Sequence, residues 1–183
     1  MPTCFDHLRW EVSNLFSIGD KITYGSEGVY TVKEFTVSPI DKNDTRQFYV
    51  LLPAHGPACN VIITPVDNDK VKMRPIMSRD EALAFIDRIP NIPPLTVERE
   101  KDRRDIYRRT LANATGDDFI SIIKTVAERR EIFFKAKRRL SESDSNYERK
   151  SKFCINGELA SALGISIDEV DEFIKKRLSA VSV

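Results

Sequence analysis

Strand-like segments occupy the first half of the chain and helical segments occupy the second, and this order is the strongest constraint on the fold. Between residues 16 and 73, short runs rich in β-branched and aromatic residues are separated by turn residues. These runs cover 21–24, 28–37, 47–52 and 60–64. Strands followed by helices predict an α+β chain or two small domains, because parallel β-α-β units would alternate the two element types.

The four strand-like runs are short and evenly spaced, and their separators are rich in Gly, Pro, Asn and Asp. This pattern predicts an antiparallel meander that closes on itself as a small SH3-like or Tudor-like β-barrel. We expect the barrel domain to cover residues 16–76, with residues 1–15 as an N-terminal extension.

Helix signals begin after Met77 and continue to the end of the chain. Ser78 with Glu81, and Ser166 with Glu169, have the spacing of capping boxes, in which the hydroxyl and the carboxylate satisfy backbone donors at a helix start. A proline pair ends the first helical region. Further helices are predicted at about 97–113, 117–140 and 144–163, and the last begins near residue 166. An all-helical C-terminal domain is therefore expected over residues 77–183.

The composition is typical of a folded globular chain, with 41% hydrophobic and 31% charged residues. Its three cysteines are far apart and form no C-x-x-C pair, so the sequence predicts neither a disulfide framework nor a zinc site. No run approaches the roughly 18 apolar residues of a membrane span. We expect a cytoplasmic protein without membrane contacts.

Catalytic signals are weak. The chain has two histidines, and His55 lies four residues before Cys59 in a Pro/Gly-rich turn with no acidic residue placed to orient it. Phosphate-binding glycine loops, zinc-protease motifs, nucleophile elbows and EF-hand loops are all missing. The prediction is a binding protein that is not an enzyme and that uses no cofactor and no metal.

Basic charge is concentrated in the middle of the chain. Residues 98–139 contain 13 Lys+Arg and 8 Asp+Glu, whereas each flank has a net charge of −2. Five cations lie within nine residues of one predicted helix: Lys101, Arg103, Arg104, Arg108 and Arg109. Such a stripe can hold nucleic-acid phosphates without reading bases. The alternative is a solvated helix whose arginines pair with the interleaved acidic residues.

A second candidate surface is an open edge of the small barrel, where backbone donors and acceptors can pair with a partner strand. Val61, Ile62 and Ile63 are the candidate residues, although core packing is the alternative for side chains of this type.

Several motifs resemble those of bacterial CarD-like transcription regulators, and of their clostridial branch in particular. In order they are Phe16-x-Ile-Gly-Asp20, Tyr24, Gly28-Val29, Thr64-Pro-Val-Asp-Asn-Asp-Lys70, Met73-Arg-Pro75, Ile86-Asp-x-Ile-Pro90, Ile122-Ile-Lys-Thr125, Tyr147-Glu-Arg149 and Gly157-Glu-Leu-Ala-x-Ala-Leu-Gly164. The resemblance covers residues 16 to about 180.

The resemblance implies a Tudor-like domain that binds the β subunit of RNA polymerase and a helical domain that touches promoter DNA near the melted bubble. Lys101, Arg103, Arg104 and Arg108 become the expected DNA-backbone contacts, with Arg109, Arg149 and Lys150 as further candidates. A monomer associated with the nucleoid through the polymerase is expected.

Two positions depart from the family pattern. Related clostridial sequences usually carry a wedge tryptophan where this chain has Thr96, and some members use arginines at positions that correspond to Ser38 and Ile63. We therefore predict a regulator that bridges polymerase and promoter DNA and changes open-complex stability. The alternative is a protein-only polymerase adaptor whose helical domain does not bind DNA.

Overall fold

The structure, a computed structural model, describes residues 16–37, 46–113 and 115–181. Five antiparallel strands form one sheet in the order β4-β3-β2-β1-β5. The strands are β1 (Lys21–Tyr24), β2 (Val29–Thr36), β3 (Phe48–Pro53), β4 (Ile62–Pro65) and β5 (Met73–Pro75). The first four correspond to the predicted runs, whereas β5 was not predicted because three residues are too few to show an alternating pattern. The expected extension, residues 1–15, lies outside the described residues.

The sheet is open in the part of the chain that the structure describes. Among the described residues, strand β4 pairs with β3 only and β5 pairs with β1 only, so these two strands form opposite edges of the sheet. The mixed α+β class and the strand-before-helix order are confirmed. The predicted closure into a barrel is not seen, since it would require pairing between the two edge strands.

One face of the sheet holds a small apolar core. Val32 is paired with Leu51, and Phe35 with Tyr49, so these side chains share a face. A register shift between Val32 and Glu34 marks a bulge, which returns the apolar side chains to the core side after an extra residue. The buried core residues are Ile22, Tyr24, Tyr30, Val32, Tyr49 and Leu51.

In the part of the chain that the structure describes, five α-helices follow: α1 (Arg79–Arg88), α2 (Arg103–Asn113), α3 (Gly116–Lys135), α4 (Glu142–Leu163) and α5 (Val170–Val181). Both predicted capping boxes are present, at Ser78 with Glu81 and at Ser166 with Glu169. Thr115 caps α3 through its hydroxyl. The prediction for α2 was wrong at its start, since the helix begins at Arg103 after a 3₁₀ turn at Glu100–Asp102.

The helices enclose a second, larger core. It contains buried side chains from all five helices, including Phe85 of α1, Tyr107 of α2, Ile122 of α3, Leu159 of α4 and Val170 of α5. These residues recur at helical spacing, and their burial is the main stabilising term for helices of this length.

Helix α4 packs against the sheet through polar contacts. The Arg74 guanidinium on β5 binds the buried Glu158 carboxylate with two contacts of 2.5 and 2.8 Å, and the carboxylate also accepts from Met77 N–H. His55 Nε2 lies 2.9 Å from both the Gly157 carbonyl and the Ser161 hydroxyl. The sheet and the helical core are therefore joined in one arrangement.

Candidate nucleic-acid interface

A groove with a volume of about 630 Å³ lies between α2 and the first turns of α4. Three cations line it: Arg104 and Arg108 from α2, and Lys150 from α4. Tyr147 and Asn146 lie between them, and the remaining lining residues are Leu111, Ser141, Glu142 and Ser143. The fold thus brings together basic residues that are about forty positions apart in the sequence.

Helical periodicity decides which side chains of α2 reach this groove. Arg103 and Tyr107, four residues apart, are buried on the inner face. Arg104 and Arg108 have the same spacing and lie one residue further along, so they share the neighbouring face, which is exposed. Arg104 and Arg108 are therefore the two α2 cations that line the groove.

Arg103 is not part of the groove, which corrects one of the expected DNA contacts. Its side chain is only 8% exposed, and Nε donates to Asp144 at 2.8 Å. It also pairs with Glu100, which accepts a further contact of 2.8 Å from Arg129. Arg103 therefore holds α2 against α3 and α4 and is not available to a phosphate.

The three groove cations are only partly neutralised. Arg104 forms no ion pair with the described residues. Arg108 pairs with Asp105 at 2.9 Å, but both side chains are more than half exposed, so the pair contributes little and can exchange partners. Lys150 pairs with Glu27 of the β1–β2 turn at 2.8 Å. A polyanion entering the groove can compete for all three.

Two tyrosines support the groove from below. The rings of Tyr107 and Tyr147 meet edge to face with centroids 5.2 Å apart. Tyr107 is fully buried, and burial together with the nearby Asp144 charge raises its pKa to about 12. Tyr107 is therefore neutral and structural, whereas Tyr147 is half-buried and borders the groove.

The other expected DNA contacts lie elsewhere. Lys101 is exposed in the 3₁₀ turn before α2, so it does not continue the face formed by Arg104 and Arg108. Arg109 shares a smaller cavity with Thr96, the expected wedge position. Arg149 donates to Asn146 and faces the sheet loops.

The cavity around Thr96 differs from the groove in charge. Its lining includes the acidic residues Glu98, Asp102 and Asp105 beside two arginines. Thr96 is exposed there and carries no aromatic ring. The wedge position is therefore separated from the basic groove and sits among carboxylates that do not favour a polyanion.

The expected polymerase-binding residues cluster at strand β4, which has one edge that no other described strand pairs with. Val61 and Ile63 are each 44% exposed, and Ile62 packs against the sheet core. Ile63 is paired with Val50 on the outer face. An edge with unpaired backbone groups and exposed apolar side chains suits the addition of a partner strand. Ser38 lies outside the described residues.

His55 and Cys154 lie in the contact between the sheet and α4. His55 contacts α4, and burial is the main reason that its pKa is lowered. The thiol of Cys154 is buried, and this burial raises its pKa to about 12, so it is protonated near neutral pH. Among the described residues, no cluster of three or more His, Cys, Asp or Glu side chains has the arrangement of a metal site. None of the helices in the described ranges is long and apolar enough to cross a membrane.

Sequence reasoning missed Asn146 as a groove residue, along with the whole α4 side of the groove except Lys150. A usable signal was present, since Asn146, Tyr147 and Lys150 have the three- and four-residue spacing of one helix face. What the sequence did not show is that this face lies opposite Arg104 and Arg108.

No protein-family model matches the chain, and no curated protein matches it.

Proposed function

We propose that the chain is a CarD-like transcription regulator that binds the RNA polymerase β subunit through its sheet and promoter DNA through its helices. The observation that carries this proposal is the convergence of Arg104, Arg108 and Lys150 in one groove. The motif resemblance supplies the biological setting and the proposed Tudor-like identity of the sheet.

The groove suits a DNA backbone better than base edges. Guanidinium groups bind phosphate oxygens bidentately, and three cations in one groove can follow successive phosphates. Such contacts provide affinity with little base preference, which fits a regulator that acts on many promoters. By binding the melted promoter selectively, the protein would change the lifetime of the open complex.

We assign the polymerase contact to the edge of β4 that no other described strand pairs with. Ile63 is exposed on this edge strand and Val61 is exposed directly before it, and a partner strand added at the edge would contact both side chains while completing the backbone hydrogen bonds. The residue at 63 is isoleucine where some family members use arginine, so we propose apolar contact and strand pairing as the binding mode. We propose that the chain acts as a monomer in the cytoplasm, at the nucleoid.

The second candidate is a polymerase adaptor that does not bind DNA. One observation favours it: Thr96 occupies the expected tryptophan position within a cavity that contains Glu98, Asp102 and Asp105. A chain without the wedge and with carboxylates around its position could have exchanged DNA for another partner. The two candidates differ in whether the purified protein binds duplex DNA.

The deciding experiment is a salt titration of duplex binding, followed by fluorescence anisotropy. Three phosphate contacts predict that log affinity falls with log salt with a slope of about −2.7. The double variant R104E/R108E should lose this binding. K175E/K176E is the control, because it makes the same charge change at exposed positions of α5 that do not line the groove.

Capture of RNA polymerase tests the other half of the proposal. R104E/R108E should still capture polymerase, whereas V61D/I63D should lose capture and keep duplex binding. Polymerase capture by the wild type without any duplex binding would favour the adaptor. Loss of both activities in R104E/R108E, with the control unaffected, would contradict the division into two surfaces.

A further inference from the structure

The C-terminal end of α3 and the loop after it form an exposed basic tip, which we define as residues 133–139. Phe134 is 81% exposed, the highest value among the exposed large hydrophobic residues that the structure describes, and Ile132, just before the tip, is 63% exposed. Four exposed cations accompany them: Lys135, Lys137, Arg138 and Arg139. None of the four forms an ion pair within the described part of the chain.

The tip has a defined backbone conformation. Lys137 N–H donates to the Phe134 carbonyl at 3.0 Å, and Arg138 N–H donates to the Phe133 carbonyl at 2.8 Å. These two bonds form a Schellman motif, which satisfies the last carbonyls of the helix. Phe134 is therefore presented on a closed turn, so little backbone entropy is lost when it binds a ligand.

Lys137 occupies the left-handed position of this motif, with φ of 55°. Every other positive φ in the described residues belongs to glycine, which adopts this conformation without strain. A lysine here costs stability that glycine would not, and such residues cluster at functional sites.

We propose that the tip binds single-stranded nucleic acid, with Phe134 stacking on an unpaired base and the four cations holding the adjacent phosphates. Aromatic stacking on bases combined with basic side chains along the backbone is the usual chemistry of single-strand recognition. The site is separate from the groove, and the proposal does not require polymerase binding. It extends the proposed function by adding a contact that duplex DNA cannot make.

The arrangement of the apolar side chains disfavours a lipid surface. Ile132 and Phe134 are two residues apart on a helix, which places them about 200° apart and on opposite sides. Phe133, between them, is covered by the guanidinium groups of Arg129 and Arg138 at 5.2 and 5.1 Å from the ring centroid. An interfacial helix needs one continuous apolar face. A single projecting ring surrounded by cations suits one base better.

The tip and the groove are adjacent along the chain. Arg139 lies two residues before Ser141, which lines the groove and caps α4. Arg130 pairs with Glu148, so the antiparallel helices α3 and α4 are held together just before the tip begins. The tip and the groove therefore lie toward the same end of the α3–α4 pair.

The test compares two fluorescein-labelled 15-mers, oligo-dT and the same backbone with abasic sites throughout, in anisotropy titrations with the full chain. F134A should bind oligo-dT about tenfold more weakly, within the range measured for base–aromatic stacking. F134A and wild type should bind the abasic strand equally, because that strand keeps the phosphates and lacks the bases. I132A is the matched control and should bind both strands as the wild type does.

A second variant, K137G, tests the cation at the strained position. It should raise the thermal midpoint because glycine tolerates the left-handed conformation. It should also reduce the salt slope for oligo-dT by about 0.7, the value for one phosphate on a single strand. Greater stability together with weaker binding is a result that damage to the fold would not produce.

Three results would overturn the proposal. Equal oligo-dT binding by F134A and wild type would mean that Phe134 makes no contact with bases. Equal losses of affinity for oligo-dT and for the abasic strand would mean that F134A weakens binding by a route other than base stacking. Binding of phosphatidylserine vesicles that depends on Phe134, with no effect on oligo-dT, would identify a membrane contact instead. R104E/R108E, run in parallel, reports the groove separately, so failure of one site does not obscure the other.

Discussion

Arg103 and Arg104 are neighbours in sequence, and we predict that replacing them has opposite consequences. Arg103 is 8% exposed and pairs with Asp144, whose side chain is 1% exposed. Arg104 is exposed and lines the groove. Methionine is a suitable replacement at both positions, because it keeps the aliphatic bulk and the helix propensity while removing the guanidinium.

The expected loss of stability follows from what each substitution leaves behind. R103M leaves the Asp144 carboxylate with the Ser141 hydroxyl and with Arg129, whose Nε is 3.6 Å away. Removing one partner of a buried pair typically costs about 3 kcal/mol or more. In a chain of this size, that loss lowers the thermal midpoint by roughly 6–12 °C. R104M breaks no contact and should change stability by less than about 0.5 kcal/mol.

Thermal unfolding and duplex-binding titrations separate the two effects. R103M should be less stable but should bind duplex DNA with the wild-type salt slope at temperatures where it is folded. R104M should keep the wild-type midpoint and reduce the slope by about 0.9, the value for one phosphate. A stable R103M with weakened DNA binding would refute the assignment of Arg103 to the buried network and would return it to the DNA-contact set.

Two further predictions concern the contact between the sheet and α4. R74A should destabilise the chain by about 3 kcal/mol in chemical denaturation because it leaves the buried Glu158 carboxylate unpaired, whereas E158Q should cost less because its amide can still accept from Met77 N–H. Equal effects of the two variants would refute this order. Burial, aided by Lys21 and opposed by the Gly157 carbonyl, lowers the pKa of His55 from 6.5. The unfolded chain therefore binds a proton more readily, so the free energy of unfolding should decrease as pH falls below about 6.5. H55Q should reduce this decrease, and an unchanged pH profile would show that other groups cause it.

Local signals in the sequence were sufficient for most of the elements. The capping boxes at Ser78 and Ser166 predicted helix starts correctly, because these contacts lie within four residues and need no tertiary partner. Gly164, with φ of 71°, ends α4 for the same reason. The start of α2 was predicted six residues too early, since charge and propensity alone do not show that residues 97–102 leave the helical path.

The candidate site was only partly predictable. The sequence identified the cations near α2, but both Arg103 and Arg104 were counted among the expected DNA contacts. Their difference depends on where Asp144 lies, forty-one residues further along the chain. Phe134 was not singled out either, because an apolar residue late in a helix is normally part of a core. Its exposure is known only from the structure, in which α3 ends at Lys135 and the chain turns into α4 at Glu142.

The sequence by itself determined the element types, the strand-before-helix order and the helix caps, because these depend on periodicity and on contacts between residues close in the chain. Only the tertiary structure decided that the sheet is open, that Arg104, Arg108 and Lys150 share one groove, and that Arg103 is buried. These outcomes depend on which distant faces pack together. Packing depends on many weak contacts between residues that are distant in the sequence, so a short segment of sequence does not predict it.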